Sequence, residues 1–71
     1  MSASRVQIVV NGTPRDIPKK MNVKELVAFL GFDQRTIAIG RNEEVLPKSK
    51  FKSTSIEPGD RIDVVHFVAG G

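Results

Sequence analysis

Asn22-Val23-Lys24-Glu25-Leu26-Val27-Ala28-Phe29-Leu30-Gly31-Phe32 decides the fold, because it reads as one short amphipathic helix with both ends specified. The Asn22 side chain can accept from the exposed N–H groups of the first turn. Glu25, three residues on, can reach back to the N–H of Asn22, which makes a capping box. Met21, before the cap, is placed to staple onto Leu26. Val23, Leu26, Val27 and Leu30 follow the i, i+3, i+4, i+7 spacing of a single buried face. Gly31 supplies a left-handed stop, after which Phe32 can fold back on Val27. This apolar stripe is core, and it offers no cofactor site.

On the N-terminal side of the helix, Arg5 to Val10 alternates, with Val6, Ile8 and Val10 on one side and Arg5, Gln7 and Val9 on the other. That is the pattern of a half-buried strand. Asn11-Gly12 signals a tight hairpin turn, and the return strand runs from about Pro14 to Pro18. Two prolines suit an edge strand that need not donate every ladder hydrogen bond. Asn11-Gly12-Thr13 matches a glycosylation sequon, but in the absence of a secretory signal it reads as a turn.

On the C-terminal side, Thr36 to Arg41 is a β-branched strand, Asn42-Glu43-Glu44 a polar turn, and Val45-Leu46 a weak continuation before Pro47. Lys48 to Phe51 reads as one helical turn and Ser53-Thr54-Ser55 as a loop. Glu57-Pro58-Gly59-Asp60 is a strong turn, with proline presetting its second position and glycine supplying positive φ at its third. It launches Arg61 to Val68, expected to be the longest strand. Asp60 and Asp63 are expected to hold solvent or a neighbouring cation.

These elements predict an α+β domain, a four- or five-stranded mixed sheet with the helix packed across one face. In the last strand Ile62, Val64, His66 and Val68 share a side, and Arg61, Asp63, Val65 and Phe67 the other. The first set is the more apolar and is assigned to the core. Val65 and Phe67, with Val9 from a neighbouring strand, then lie on the open face as a candidate docking surface. Scattered surface apolar residues account for the same pattern equally well at this stage.

Seventy-one residues suit one small domain, 1–71, too small for a large enclosed active site. There is no cysteine, which excludes a disulfide framework, a thiolate metal site and cysteine catalysis, and which fits a reducing compartment. No signal-peptide layout or membrane-spanning apolar run is present, so a soluble cytoplasmic protein is expected. The formal charge of +3 comes from 11 basic and 8 acidic residues, mostly scattered. Lys48, Lys50 and Lys52 form the densest group and read as a solvated loop, since no stacking aromatics flank them. His66 is the only histidine, without a second ligand or a nucleophile at recognisable spacing, so a packed or rim position is expected. Neither a P-loop nor a paired-carboxylate constellation stands out, and no metal site is expected.

The last residues, Ala69-Gly70-Gly71, follow directly on a strand-like run. Two residues without Cβ atoms make a thin, permissive thread that can enter a narrow channel and bring a terminal carboxylate to another reactant. That carboxylate is anionic at neutral pH and can be activated as an acyl phosphate anhydride. The alternative is a frayed end that happens to be glycine.

Together these residues resemble the ThiS family of sulfur-carrier proteins of thiamin biosynthesis. The resemblance runs through Val10-Asn11-Gly12, the helix Val23 to Leu30, Ala38 and Asn42, and Leu46-Pro47-Lys48, where the family often has Val-Pro-Arg. It continues at Phe51, where an aromatic is common, and is most specific from Pro58-Gly59-Asp60-Arg61-Ile62 through Val68-Ala69-Gly70-Gly71. It implies a ubiquitin-like β-grasp fold with a flexible tail at 69–71. It also implies a cosubstrate, not an enzyme, with no bound cofactor. A ThiF-like adenylyltransferase using ATP would join the Gly71 carboxylate to AMP. Sulfur from a cysteine desulfurase or another donor would displace AMP, and the thiocarboxylate would serve a ThiG-like thiazole synthase. Gly71 would bear the reactive carbonyl, Gly70 and Ala69 would thread it, and Val65, Phe67 and Val9 would dock partners.

Related β-grasp carriers for molybdopterin or tRNA thiolation, and ubiquitin-like modifiers, share the Gly-Gly end. A β-grasp module that binds RNA or proteins is the reading from another class; its tail would be dispensable and its RNA binding would fall steeply with salt. No nucleic-acid or membrane partner is expected.

Overall fold

A computed structural model describes residues 5–67. Five strands, β1 (Arg5–Val10), β2 (Thr13–Pro18), β3 (Ile37–Arg41), β4 (Glu44–Leu46) and β5 (Arg61–His66), form one sheet in the order β2-β1-β5-β3-β4. β1 and β5 are parallel, and the other neighbours antiparallel. The helix α1 (Val23–Phe29) connects β2 to β3 and packs on one face.

α1 is held at both ends by the devices its sequence specifies. Asn22 Oδ1 accepts from the N–H of Glu25 at 2.7 Å, and Glu25 Oε1 accepts from the N–H of Asn22 at 2.9 Å. The first two helical N–H groups have no acceptor within the helix, and the loop after β4 provides them: Val23 donates to the carbonyl of Thr54, Lys24 to that of Phe51. At the far end Gly31 has φ +87°, its N–H donates to the Ala28 carbonyl, and that of Phe32 to the Val27 carbonyl. Both bonds of a Schellman motif are therefore present.

The core joins Val23, Leu26 and Val27 of α1 to Ile8, Val10, Ile17, Ile37, Ile39, Ile62 and Val64 of the sheet, with Phe51 and Ile56 sealing one side. At roughly 1.5–3 kcal/mol for each fully buried side chain of this size, burial is the principal stabilising term. β2 is an edge strand, where its two prolines leave no interior ladder unpaired.

Three boundaries, and the surroundings of Asp60, differ from the sequence expectation. Thr36 closes a 3-10 turn, Gln34–Thr36, instead of starting β3, because the Asp33 side chain accepts from the N–H of Arg35 and caps that turn. Glu44 pairs with Arg41 in β4, since Asn42 and Glu43, with φ of 51° and 72°, complete the turn by themselves. β5 extends to His66, so its described span is six residues, equal to β1 and β2 and not longer. Asp60 is a buried hub, 6% exposed: its carboxylate accepts from Arg41 Nε at 3.0 Å, Asn42 Nδ2 at 3.2 Å and the N–H of Glu57 at 2.8 Å. The expected neighbouring cation is thus Arg41, and protein donors replace the expected solvent. Val68 and the tail Ala69, Gly70 and Gly71 lie outside the described residues.

Candidate functional site

α1 covers one face of the sheet, and the opposite face is open. In β5 the pleat sends Ile62 and Val64 into the core, leaving Arg61, Asp63 and Val65 exposed on the other side. Val65 is 58% exposed and Phe67, just past the strand, 44%. Cross-strand register extends the patch sideways. Val65 stands opposite exposed Ala38 on β3, Gly40 lies opposite Asp63, and Gly40 in turn faces Val45 on β4, at 82% the most exposed large apolar side chain among the described residues. Ala38 and Gly40 carry almost no side chain, so the middle of the patch is a low floor with Val65, Phe67 and Val45 standing around it.

Phe67 is the last described residue before the tail. Its N–H donates to the carbonyl of Thr36 at 3.2 Å, continuing the β3–β5 ladder one step beyond β5. Lys48, in the 3-10 turn Lys48–Lys50 after β4, reaches over the ring with Nζ 5.0 Å from its centroid, a cation–π geometry. On the β1 side, pairing with β5 stops at Val10–Ile62, because Asn11 and Gly12 turn the chain away.

The register separates one expected member from the others. Val9 is half-buried and lies opposite Arg61, four residues before Val65 on β5 and so about 13 Å from it at ~3.3 Å per residue. The structure therefore brings Val65 and Phe67 together and leaves Val9 as a separate position on the same face. His66 falls on the helix side at the sheet rim, its ring edge-on to Phe32 with centroids 5.2 Å apart. Sequence reading missed Ala38, Val45 and Lys48. The alternation of Ile37 and Ile39 around Ala38 carried a signal for the first, whereas the reach of Lys48 across β3 is purely tertiary.

Elsewhere the surface offers little for chemistry. A shallow cavity of about 350 Å³ lies between Val6, Lys19, Lys20 and Ile56. Val6 sits three residues before the Val9–Arg61 pair and Phe67 six after it, so this cavity is about 30 Å along the strands from Phe67. Among the described residues, no group of three or more His, Asp or Glu side chains can hold a metal ion, and no helix is long and apolar enough to cross a membrane. Arg35 binds both carboxylate oxygens of Asp33, at 3.1 and 2.9 Å. That side-chain bonding, helped by the N–H of Arg35, holds the Asp33 carboxyl down to about 2.

The sequence profile of the ThiS family matches residues 8–71. The chain belongs to the ThiS family. In fold it is similar to the ThiS thiamine biosynthesis protein of Geobacter metallireducens, with a TM-score of 0.81 and 30% identity over 93% of this chain and 100% of that one. The sulfur carrier protein ThiS of Bacillus subtilis is 29% identical over 49 residues, 69% of this chain and 74% of the carrier. A thiazole synthase of Paramagnetospirillum magneticum is 36% identical over 66 residues, 93% of this chain. The chain spans about a fifth of the length of that synthase, 20%. The ubiquitin-like β-grasp fold implied by the sequence resemblance is the fold observed, with five strands, not four.

Proposed function

We propose that this ThiS-family chain is a sulfur carrier of thiamin biosynthesis whose Gly71 carboxylate accepts and delivers the sulfur. The observation that carries the reading is a family match that runs through residue 71 and so includes Gly70-Gly71. In the proposed cycle a carboxylate oxygen of Gly71 attacks the α-phosphorus of ATP on a ThiF-like adenylyltransferase, and pyrophosphate leaves. Sulfide then attacks the acyl carbon, and AMP leaves with the bonding pair; where a cysteine desulfurase is the donor, its persulfide is first reduced by a thiol, which releases the outer sulfur as sulfide and ends in a disulfide. The product is a thiocarboxylate. The chain acts as a cosubstrate and needs no bound cofactor, since ATP belongs to the activating partner.

Activation is required because a carboxylate oxygen is a poor leaving group, and the mixed anhydride replaces it with a phosphate. Gly70 and Ala69 supply the narrow approach, because a chain entering a closed channel is limited by its side-chain width. Val65 and Phe67 are the proposed docking contacts, with Val9 as an outlying one. A ThiG-like thiazole synthase as the acceptor is supported by the similarity of this chain to a segment of the Paramagnetospirillum magneticum synthase. Joining two partners in one polypeptide turns their encounter into an intramolecular event. The reactions named call for a cytoplasmic setting in which ATP and reduced sulfur are both at hand.

The test uses the missing cysteine as an internal control, since the chain has no thiol to react with a mild alkylating reagent. After incubation with the adenylyltransferase, ATP and sulfide, intact mass should rise by the exchange of one oxygen for sulfur. Fragmentation should put that change, and any alkyl group added afterwards, on Gly71. Deletion of Gly71 should abolish the product while circular dichroism stays unchanged. An intact chain that never acquires sulfur from a competent activating enzyme would overturn the reading in favour of a plain β-grasp interaction module.

A further inference from the structure

We propose that Lys48 is a positioning residue for activation of the tail: it acts through Phe67, by holding the ring in the pose in which the activating partner meets it. The inference rests on the carrier reading above and adds to it a side chain outside both the tail and the apolar patch.

Phe67 is the last residue tied to the sheet on the described path to the tail, through the bond from its N–H to the Thr36 carbonyl. Phe67 is 44% exposed and lies outside the cluster of buried core residues. On the β1 side the sheet offers no neighbouring strand at this level, because β1 pairs with β5 only at Val9–Val10. The Lys48 ammonium stands over the ring, 5.0 Å from its centroid. Pro47, with φ −61°, starts the 3-10 turn and fixes where the Lys48 side chain begins.

One acidic competitor for that ammonium is already engaged. Asp33 is close enough to feel the Lys48 charge, but both its oxygens are bonded to Arg35. Lys48 forms no ion pair among the described residues. A ring already held at the interface spares the partner the cost of ordering it, which strengthens docking and leaves the chemical step untouched. Attraction of a lysine to an exposed aromatic face amounts to roughly a two- to fivefold change in an equilibrium constant.

The experiment measures kcat and KM for the full chain as substrate in ATP-dependent adenylation by a ThiF-like adenylyltransferase. Lys48→Met keeps the stem and removes the charge, and should raise KM about two- to fivefold with kcat unchanged. Lys48→Arg keeps a cation over the ring and should restore KM. In a Phe67→Leu background Lys48→Met should have no further effect, because there is no ring left to hold. In the free protein, ring-current shielding of the Lys48 ε-methylene protons should be seen by NMR and vanish in Phe67→Leu.

An unchanged KM in Lys48→Met overturns the inference, as does a Lys48→Met effect that survives in full in the Phe67→Leu background, which would mean a direct contact of Lys48 with the partner. Either result leaves the carrier reading standing. If the unaltered chain is not adenylated at all by an enzyme shown to activate another ThiS-family chain, the carrier reading fails and this inference falls with it.

Discussion

Asn11 Oδ1 accepts a hydrogen bond of 2.7 Å from the backbone N–H of Val64, across 53 positions in sequence. β1 leaves the sheet at Asn11, whose own N–H donates to the Ile62 carbonyl, so the next inward-facing donor on β5 would lose its partner. The side chain stands in for the strand that has turned away. Asn42 does the same at the other edge, accepting from the N–H of Arg61 at 2.9 Å while its own N–H donates to the Arg61 carbonyl. Both residues have positive φ, 50° and 51°, a conformation asparagine tolerates better than most.

Asn11→Gly isolates the side-chain bond, because glycine keeps the positive φ and removes only the acceptor. The Val64 N–H is then left without its partner in a partly buried place, and the expected loss is about 1–3 kcal/mol in urea denaturation. Asn11→Asp retains an acceptor oxygen and should recover most of it. Equal midpoints for Asn11→Gly and the unaltered chain would show that water replaces the bond at no cost.

How much of this was legible follows the range of each interaction. The helix was readable to the residue, since Asn22, Glu25, Gly31 and Phe32 act within a few positions of each other. The same holds for the turns at Asn11-Gly12 and Glu57–Asp60. The open-face positions of Val65 and Phe67 followed from strand alternation alone. Bonds that span the fold carried no local pattern, so Asn11 to Val64, Asp60 to Arg41 and Lys48 to Phe67 needed the assembled sheet. Val9 shows the limit of alternation: it gives the face correctly, but only register gives the position along it.

Asp60 makes stability depend on acid. Burial pushes its carboxyl up, but the N–H of Glu57 together with Asn42 and Arg41 outweighs this and holds it below the usual carboxylate value. A folded-state value below the unfolded one stabilises above the unfolded value, 3.8 for an ordinary aspartate, and the contribution is lost as pH falls through the folded one. Asp60→Asn should therefore cost about 1–3 kcal/mol at pH 7, by weakening a charge-assisted bond to an Arg41 that is itself partly exposed. The gap between the two proteins should begin to narrow as pH falls below 3.8 and close once pH has passed the lower folded value, where the carboxyl is protonated in the folded protein too. A stability difference that stays constant from pH 7 to pH 2 would mean that packing, not charge, accounts for the defect.

For the helix start, Asn22→Ala removes one acceptor of the capping box but leaves the Thr54 and Phe51 carbonyls in place on Val23 and Lys24. The expected loss is about 1 kcal/mol, with sulfur loading unchanged at moderate temperature. Thermal or chemical unfolding monitored at 222 nm checks it. A loss several times larger would show that the loop contacts depend on the cap and melt with it.

The open face is tested by charge. Val65→Asp and Phe67→Asp place a carboxylate on a surface that already faces water, so each should keep the native circular dichroism spectrum and lose no more than about 1 kcal/mol. In binding to the adenylyltransferase or to thiazole synthase, the same carboxylates would be desolvated against an apolar partner surface, which predicts a loss of tenfold or more. Val45→Asp, on the far side of the Ala38–Gly40 floor, and Val9→Asp, about 13 Å from Val65 along the strand direction, map how far the footprint extends. Isothermal titration calorimetry with each partner separates the cases. Full affinity in both Val65→Asp and Phe67→Asp, with the fold intact, would move docking off this face and leave the carrier to be recognised through its tail alone.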